Sequence, residues 1–193
     1  MHDNYEVTLL IEKWKGLAEA QNNITDYFLS KDFDYLLFLD DDHWGHTIEM
    51  VDTLIEANTY MATMKTYVRH YPYPIALFNI NEARDYRSKY SGVENGFGYK
   101  EVDMTGFPMT LIKRDLFSKL SRPYFVGRDY GGRDWNTDID FCEKIRSLGI
   151  KPVGCYQYCL PHGDITEDNV LEMRIRNMKT MSDRVSMYFN LAK

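Results

Sequence analysis

The sequence predicts a three-layer α/β domain with a mixed, mainly parallel sheet and a long C-terminal helix. Three observations carry this. Strand-like and helix-like segments alternate through the first half of the 193-residue chain. The run YLLFL, residues 35–39, is apolar at every position, the pattern of a strand covered on both faces, as in a parallel sheet. The last segment, from Thr166 to about Leu191, keeps helical periodicity for about 25 residues, long for a small domain. The length suits one domain spanning residues 1–193, with 165–193 as its C-terminal helix.

The elements follow in order. Glu6 to Ile11 reads as a strand. Lys15 to Ser30 reads as a helix, because Leu17, Ala20, Ile24 and Tyr27/Phe28 recur at three- and four-residue steps. The apolar strand from Asp34 to Leu39 stops abruptly in Asp40, Asp41, Asp42 and His43. A second helix spans Thr47 to Asn58, with Ile48, Val51, Leu54 and Ile55 inward. Met61 to Thr66 and Ile75 to Asn79 are strands. Residues 80–98 are polar, contain Gly92, Gly96 and Gly98, and read as a mobile loop. Strands Tyr99 to Asp103 and Thr110 to Lys113 flank Thr105-Gly106-Phe107, and a short helix runs from Asp115 to Leu120. Residues 121–134 hold Pro123, Gly127, Gly131 and Gly132 and read as a second loop. A helix opens at Thr137, with Asp140 three residues on in a capping-box pattern, and Gly149 closes it. Val153 to Leu160 is a strand that runs into Pro161-His162-Gly163-Asp164. In the final helix Leu171, Ile175, Met178, Val185 and Phe189 share one side, so it suits a clasp or a contact with a partner, a second copy included.

Composition excludes several classes. Apolar residues make up 44% of the chain and charged residues 27%, so a core can be buried and wholesale disorder is excluded. No apolar run approaches the length of a membrane span. The start MHDNYEV carries acid where an export signal needs base, so the expected location is cytoplasmic. Net charge is −6, from 23 basic and 29 acidic residues, which argues against nucleic acid as a partner. The three cysteines, Cys142, Cys155 and Cys159, form no CxxC pair and read as buried free thiols. Aromatics are 15% of the chain, and those in loops suit either a sugar or nucleotide site or closure of a small core.

Three consecutive aspartates after an apolar strand repel one another, and at least one pKa rises unless a cation is present. A divalent metal resolves the conflict, and hard oxygen ligands suit Mn2+ or Mg2+, which keep positions open for phosphate oxygens. Side-chain alternation puts Asp40 and Asp42 on one side and Asp41 on the other. An acidic turn capping the helix at Thr47 is the alternative. His43 and Trp44 lie nearby without a spacing argument of their own.

The stretch FDYLLFLDDD resembles the strand and DXD motif of GT-A glycosyltransferases. The preceding GLAEAQNNITDYFLSKDFDY is similar to the family's helix before that motif, with Gln21-Asn22 where arginine-asparagine is usual. EVDMTGFPMTLIKRDLF resembles the turn near the donor sugar. DWNTDIDFCEKIRSLGIKP resembles the acceptor-side helix, with Thr137-Asp138 in place of glutamate-aspartate. LPHGD matches the late histidine of many metal sites. The motifs stand in family order over residues 15–164.

The resemblance implies a GT-A-like, Rossmann-related fold and metal-dependent transfer of a sugar from a nucleotide sugar, UDP-linked by preference. The acceptor, whether glycan, lipid or protein, is left open. Asp40, Asp42 and His162 would hold the metal. Asp40, Asp41, Gly106 and Trp135 would contact the donor. Asp138 would act on the acceptor or the sugar, with Asp134 in reserve. Family members begin with a βαβ unit of ~30 residues or more that grips the base. Only one expected strand precedes the matching helix here, so the chain resembles a truncated, phage-like version. Two other readings use the same residues. One is a degenerate module that binds nucleotide or glycan, or hydrolyses the donor slowly. The other is a nucleotidyltransferase, against which stands the lack of a Gly-rich basic loop near the start.

Overall fold

The computed structural model of the chain describes residues 5–12, 16–69, 75–80, 90–93, 96–129, 134–135 and 137–176. In chain order the elements are α1 (Leu17–Leu29), β1 (Tyr35–Leu39), α2 (Ile48–Glu56), β2 (Met61–Thr66), β3 (Leu77–Ile80), β4 (Tyr90–Gly92), β5 (Tyr99–Glu101), β6 (Met104–Thr105), β7 (Met109–Lys113), α3 (Arg114–Phe117), β8 (Arg128–Asp129), β9 (Asp134–Trp135), α4 (Thr137–Arg146) and β10 (Val153–Leu160). Residues 170–176 add a fifth helix, α5.

The main sheet has the order β1-β7-β2-β10-β5. Only β2 and β10 pair in parallel; β1–β7, β2–β7 and β10–β5 are antiparallel. The sheet is therefore mixed but mainly antiparallel, which corrects the expected mainly parallel pairing. An apolar run reports that both faces are covered and says nothing of strand direction. Leu36 and Phe38 of β1 enter one core, and Tyr35 and Leu37 lean on another. One consequence of the expected topology survives. Because β7 opposes both β1 and β2, the strands β1, β2 and β10 all point the same way. Their carboxyl ends lie on one edge of the sheet, where open α/β sheets bind ligands.

Helices cover both faces. On one, Leu36, Phe38, Met61 and Ile112 pack with Phe28 of α1, Leu116 and Phe117 of α3, and Phe141, Cys142 and Ile145 of α4. Phe125 stacks on Phe141 with ring centres 4.6 Å apart. On the other, Ala62, Met64, Leu111 and Cys155 pack on Met50 and Leu54 of α2. A small sheet, β4-β3-β6, closes one end through Leu77, Val93, Val102 and Tyr156. The cysteines are free, with Cys142 and Cys155 buried.

Helix α1 sets Ile24 and Phe28 of its expected face on the core but buries polar residues beside them. Gln21, Asn22, Thr25 and Phe28 are buried, and Tyr27 is exposed. Local hydrogen bonds allow this. Asn22 Nδ2 donates to the Ala18 and Phe125 carbonyls, both at 2.7 Å, and its Oδ1 accepts from the N–H of Tyr124 (2.7 Å) and Phe125 (3.2 Å). The asparagine thus holds the segment after Pro123 against the helix. Arg114 satisfies the far end of α1, donating to the carbonyls of Phe28 and Leu29.

Residues 5–12 form no strand, against expectation. No ladder pairs with them among the described residues, and Val7, Leu9 and Ile11 are 79%, 78% and 80% exposed. An alternating apolar pattern needs an adjacent edge before it becomes a strand. At Gly149, φ is +75°, and Ile150 N–H returns to the Ile145 carbonyl at 3.1 Å, so the expected C-cap forms. Thr166 and Asn169 cap the last helix reciprocally, each side chain bonding the other's backbone N–H. Of the expected 165–193 helix, residues 177–193 lie outside the described residues. Within the expected 80–98 loop, β4 is a strand, and residues 81–89 and 94–95 lie outside the described set.

Candidate functional site

The site is built where β1 and β10 end. Asp40 N–H donates to the Pro108 carbonyl (3.3 Å), and His43 N–H returns to the Asp40 carbonyl (3.4 Å), folding the aspartates into a tight turn. That turn is zipped to the loop after β10. His43 and His162 form a backbone bridge, Gly163 N–H donates to the Asp42 carbonyl (3.0 Å), and Trp44 Nε1 donates to the Gly163 carbonyl (3.0 Å). Gly163 has φ +57°, a conformation that favours glycine and lets the chain reverse directly after the histidine.

The two turns rim a cavity of about 500 Å³. Its polar lining is Asp40, Asp42, His43, Thr66, Thr105, Asp138 and His162; its apolar wall includes Phe78, Met104, Phe107 and Ile139. Gly106 also lines it, and a Cβ built there would meet Asp138 Oδ2 at 3.7 Å, so the glycine leaves open the space beside that carboxylate. Five residues singled out from the sequence, Asp40, Asp42, Gly106, Asp138 and His162, thus meet in one place. Asp41 is exposed and outside the lining. Asp134 and Trp135 form β9 against β8, and their side chains lie outside the described residues.

His162 carries the central geometry. Its Nδ1 lies 2.8 Å from the Tyr67 carbonyl and its Nε2 lies 2.9 Å from Asp42 Oδ2. A carbonyl only accepts, so Nδ1 bears a proton, and the Nε2 atom faces a carboxylate oxygen at hydrogen-bond distance. Two lone pairs face each other there unless a proton or a cation lies between them. A backbone partner that fixes the tautomer is the usual support of a ligating histidine.

His43 adds to the group. Its ring stacks on that of His162, with centres 4.2 Å apart. The side chain is buried, and Nε2 has no hydrogen-bond partner. Nδ1 is 3.0 Å from Asp42 Oδ1, close but not aligned for a hydrogen bond. Burial, then the neighbouring His162, pushes its pKa down to about 4, so the ring is neutral at pH 7. One ligand atom from each of Asp42, His43 and His162 lies within 4.8 Å of the other two. An orphaned buried imidazole nitrogen and a second imidazole nitrogen 2.9 Å from a carboxylate oxygen fit a metal ion. One carboxylate with two imidazoles suits Mn2+ or Zn2+ better than Mg2+, which takes oxygen ligands. Asp40 is not part of that group.

Burial works to raise the Asp42 carboxyl, but the hydrogen bond with His162 and the nearness of His162 and Arg69 outweigh it, so its pKa is lowered. The other two carboxyls go the opposite way. Burial, then Asp42, Asp138 and Asp41, pushes Asp40 up to about 7. Asp138 is half-buried by surface area, yet its carboxyl is packed deeply enough that burial pushes it up to about 6. Its bond from Ile139 N–H (2.9 Å), which favours the anion, only partly offsets this. The helix N-terminus alone points to a fully stabilised anion, and the tertiary burial reverses that direction.

Sequence reasoning missed Thr66, Thr105, the apolar wall, the Tyr67 carbonyl and Arg69. Arg69 Nη1 lies 3.2 Å from Asp42 Oδ2. A usable signal was the six-residue buried strand β2, whose carboxyl end leads through Thr66 to Arg69.

No family model matches the chain, and no curated protein matches it. Among solved structures it is similar to the crystal structure of A197 from STIV, with TM-score 0.55 and 19% sequence identity over 79% of this chain and 69% of that one. A likeness at this identity shows the fold, an α/β domain with a mixed sheet, and not the chemistry. No helix among the described residues is long and apolar enough to cross a membrane.

Proposed function

We propose that the chain is a metal-dependent glycosyltransferase with a three-layer GT-A-like arrangement, moving a sugar from a UDP-linked donor to an acceptor hydroxyl. The observation that carries this reading is the convergence of Asp40, Asp42, Asp138 and His162 on one cavity at the carboxyl ends of parallel-running strands. Asp42 and His162 would hold Mn2+, which when bound neutralises charge on the diphosphate leaving group. Asp138 receives the acceptor proton, a role suited to a carboxyl with a pKa near 6. Asp40 would bond donor hydroxyls, and the apolar wall of Phe78, Met104 and Ile139 would limit water at the reacting centre. The test is a panel of nucleotide sugars incubated with and without Mn2+, reading released nucleotide. Release only with metal is expected; no release from any donor sinks the reading.

One observation favours a second reading. Asp42 is engaged by both His162 and Arg69. A cluster satisfied in this way also suits a degenerate module that binds nucleotide or glycan without efficient transfer. Nucleotide binding with no metal-stimulated release is its signature.

A further inference from the structure

Arg69 is the cation nearest the Asp42–His162 pair, and neither the motifs nor the proposed reaction uses it. Its Nη1 and His162 Nε2 share a single acceptor, Asp42 Oδ2, at 3.2 and 2.9 Å. The ion pair is exposed: the Arg69 side chain is 52% accessible and that of Asp42 is 41%. Exposed pairs of this kind are weak and exchange readily. The guanidinium lies along the turn after β10, where a Cβ on Gly163 would come within 3.3 Å of Nε and Nη2. The glycine therefore leaves room for the arginine at the mouth of the site.

A metal ion held by Asp42 and His162 would take the Asp42 oxygen on which Arg69 now rests. Arg69 then loses its carboxylate partner and stands beside a divalent cation. Two unpaired positive groups side by side repel, and an anion reaching both removes the repulsion. A planar guanidinium bonds two phosphate oxygens at once, which an ammonium does not.

We propose that Arg69 is an anion-binding residue for the diphosphate of a nucleotide ligand, held in reserve on Asp42 until a metal takes that carboxylate. The proposal rests on the metal-and-diphosphate reading above. It makes metal and diphosphate binding mutually reinforcing. Without nucleotide, Arg69 competes with the metal for Asp42; with nucleotide, it moves to the phosphates.

Calorimetry on wild type, Arg69→Ala and Arg69→Lys tests this, using Mn2+ alone and then UDP at saturating Mn2+. Arg69→Ala should bind Mn2+ alone several-fold more tightly and UDP about tenfold more weakly. Arg69→Lys should keep part of the UDP affinity, because the charge stays and the fork is lost. Opposite signs for the two ligands are not produced by a loss of folding. Unchanged UDP affinity in Arg69→Ala, or weaker Mn2+ binding, overturns the proposal while leaving the metal reading intact. If wild type takes up neither Mn2+ nor UDP, both fall together.

Discussion

His162 Nε2 meets Asp42 Oδ2 at 2.9 Å across 120 residues of sequence. This contact ties the end of β10 to the end of β1 and sets the geometry of the cavity mouth. It also accounts for a charge arrangement that is otherwise unfavourable. Three adjacent carboxylates are divided by their surroundings: Asp41 is exposed, Asp42 is paired, and Asp40 is buried enough to hold a proton near neutrality.

Removing either partner of that contact is expected to remove metal. Asp42→Ala and His162→Ala should each weaken Mn2+ binding by more than about tenfold, ~1.4 kcal/mol. The fold should persist, since the Asp42 side chain is 41% exposed and His162 stands beside it at the cavity mouth, outside the main apolar cores. Calorimetry with Mn2+ and a far-UV spectrum check the two halves; unchanged affinity in both variants sinks the assignment.

Asp138→Asn should lose activity and gain stability together. The folded pKa of about 6 lies above the ordinary 3.8, so the stabilisation from protonating Asp138 is complete below about pH 4 and lost as pH rises through 6. The asparagine carries no charge to bury. The variant should therefore be more stable than wild type at pH 7 by about 1–3 kcal/mol, with the difference closing toward pH 4. Transfer should fall by ~10²–10⁴, the range for losing a general base, while Mn2+ and UDP still bind. Wild-type transfer should rise with pH through about 6. A variant with the wild-type rate makes Asp138 a helix-opening residue only, and Asp134 the next candidate.

Nucleotide preference should be shallow. Among the described lining residues no Asn, Gln or Arg is present to read the edge of a base. UDP, CDP and GDP should then bind within about an order of magnitude of one another, ~1.4 kcal/mol. Competition titrations that show a steep uridine preference contradict this.

Asn22 is expected to matter for stability and not for chemistry. It makes four hydrogen bonds, three of them to Tyr124 and Phe125, and is 6% exposed. Asn22→Ala leaves the Tyr124 and Phe125 backbone groups without that partner, at a cost of about 2–3 kcal/mol. Urea denaturation measures the loss. A change under 0.5 kcal/mol, roughly the effect of an ordinary surface substitution, would show that water replaces the side chain.

Much of the site was legible because strand ends are legible. A five-residue apolar run that stops in aspartates, and a second strand that stops at Pro161-His162, locate two turns of the candidate site from local pattern alone. Alternation along the chain separated Asp41 from Asp40 and Asp42 in the same way. Arg69 had no such mark. It lies in the segment after β2, and nothing within a few residues of it shows that Asp42 is its neighbour.

Local sequence determined most of the helices and strands and which polar residues stand at the ends of β1 and β10, because periodicity and capping act over one or two turns of chain. It did not determine the state of residues 6–11 or of β4. Tertiary structure decided the rest. It set the antiparallel sense of β7 between β1 and β2, since an apolar strand can pair either way. It buried Asn22 of α1, since a polar side chain can be buried once distant backbone groups satisfy it. It stacked His43 on His162 and raised Asp138, since both effects depend on atoms brought together from across the fold.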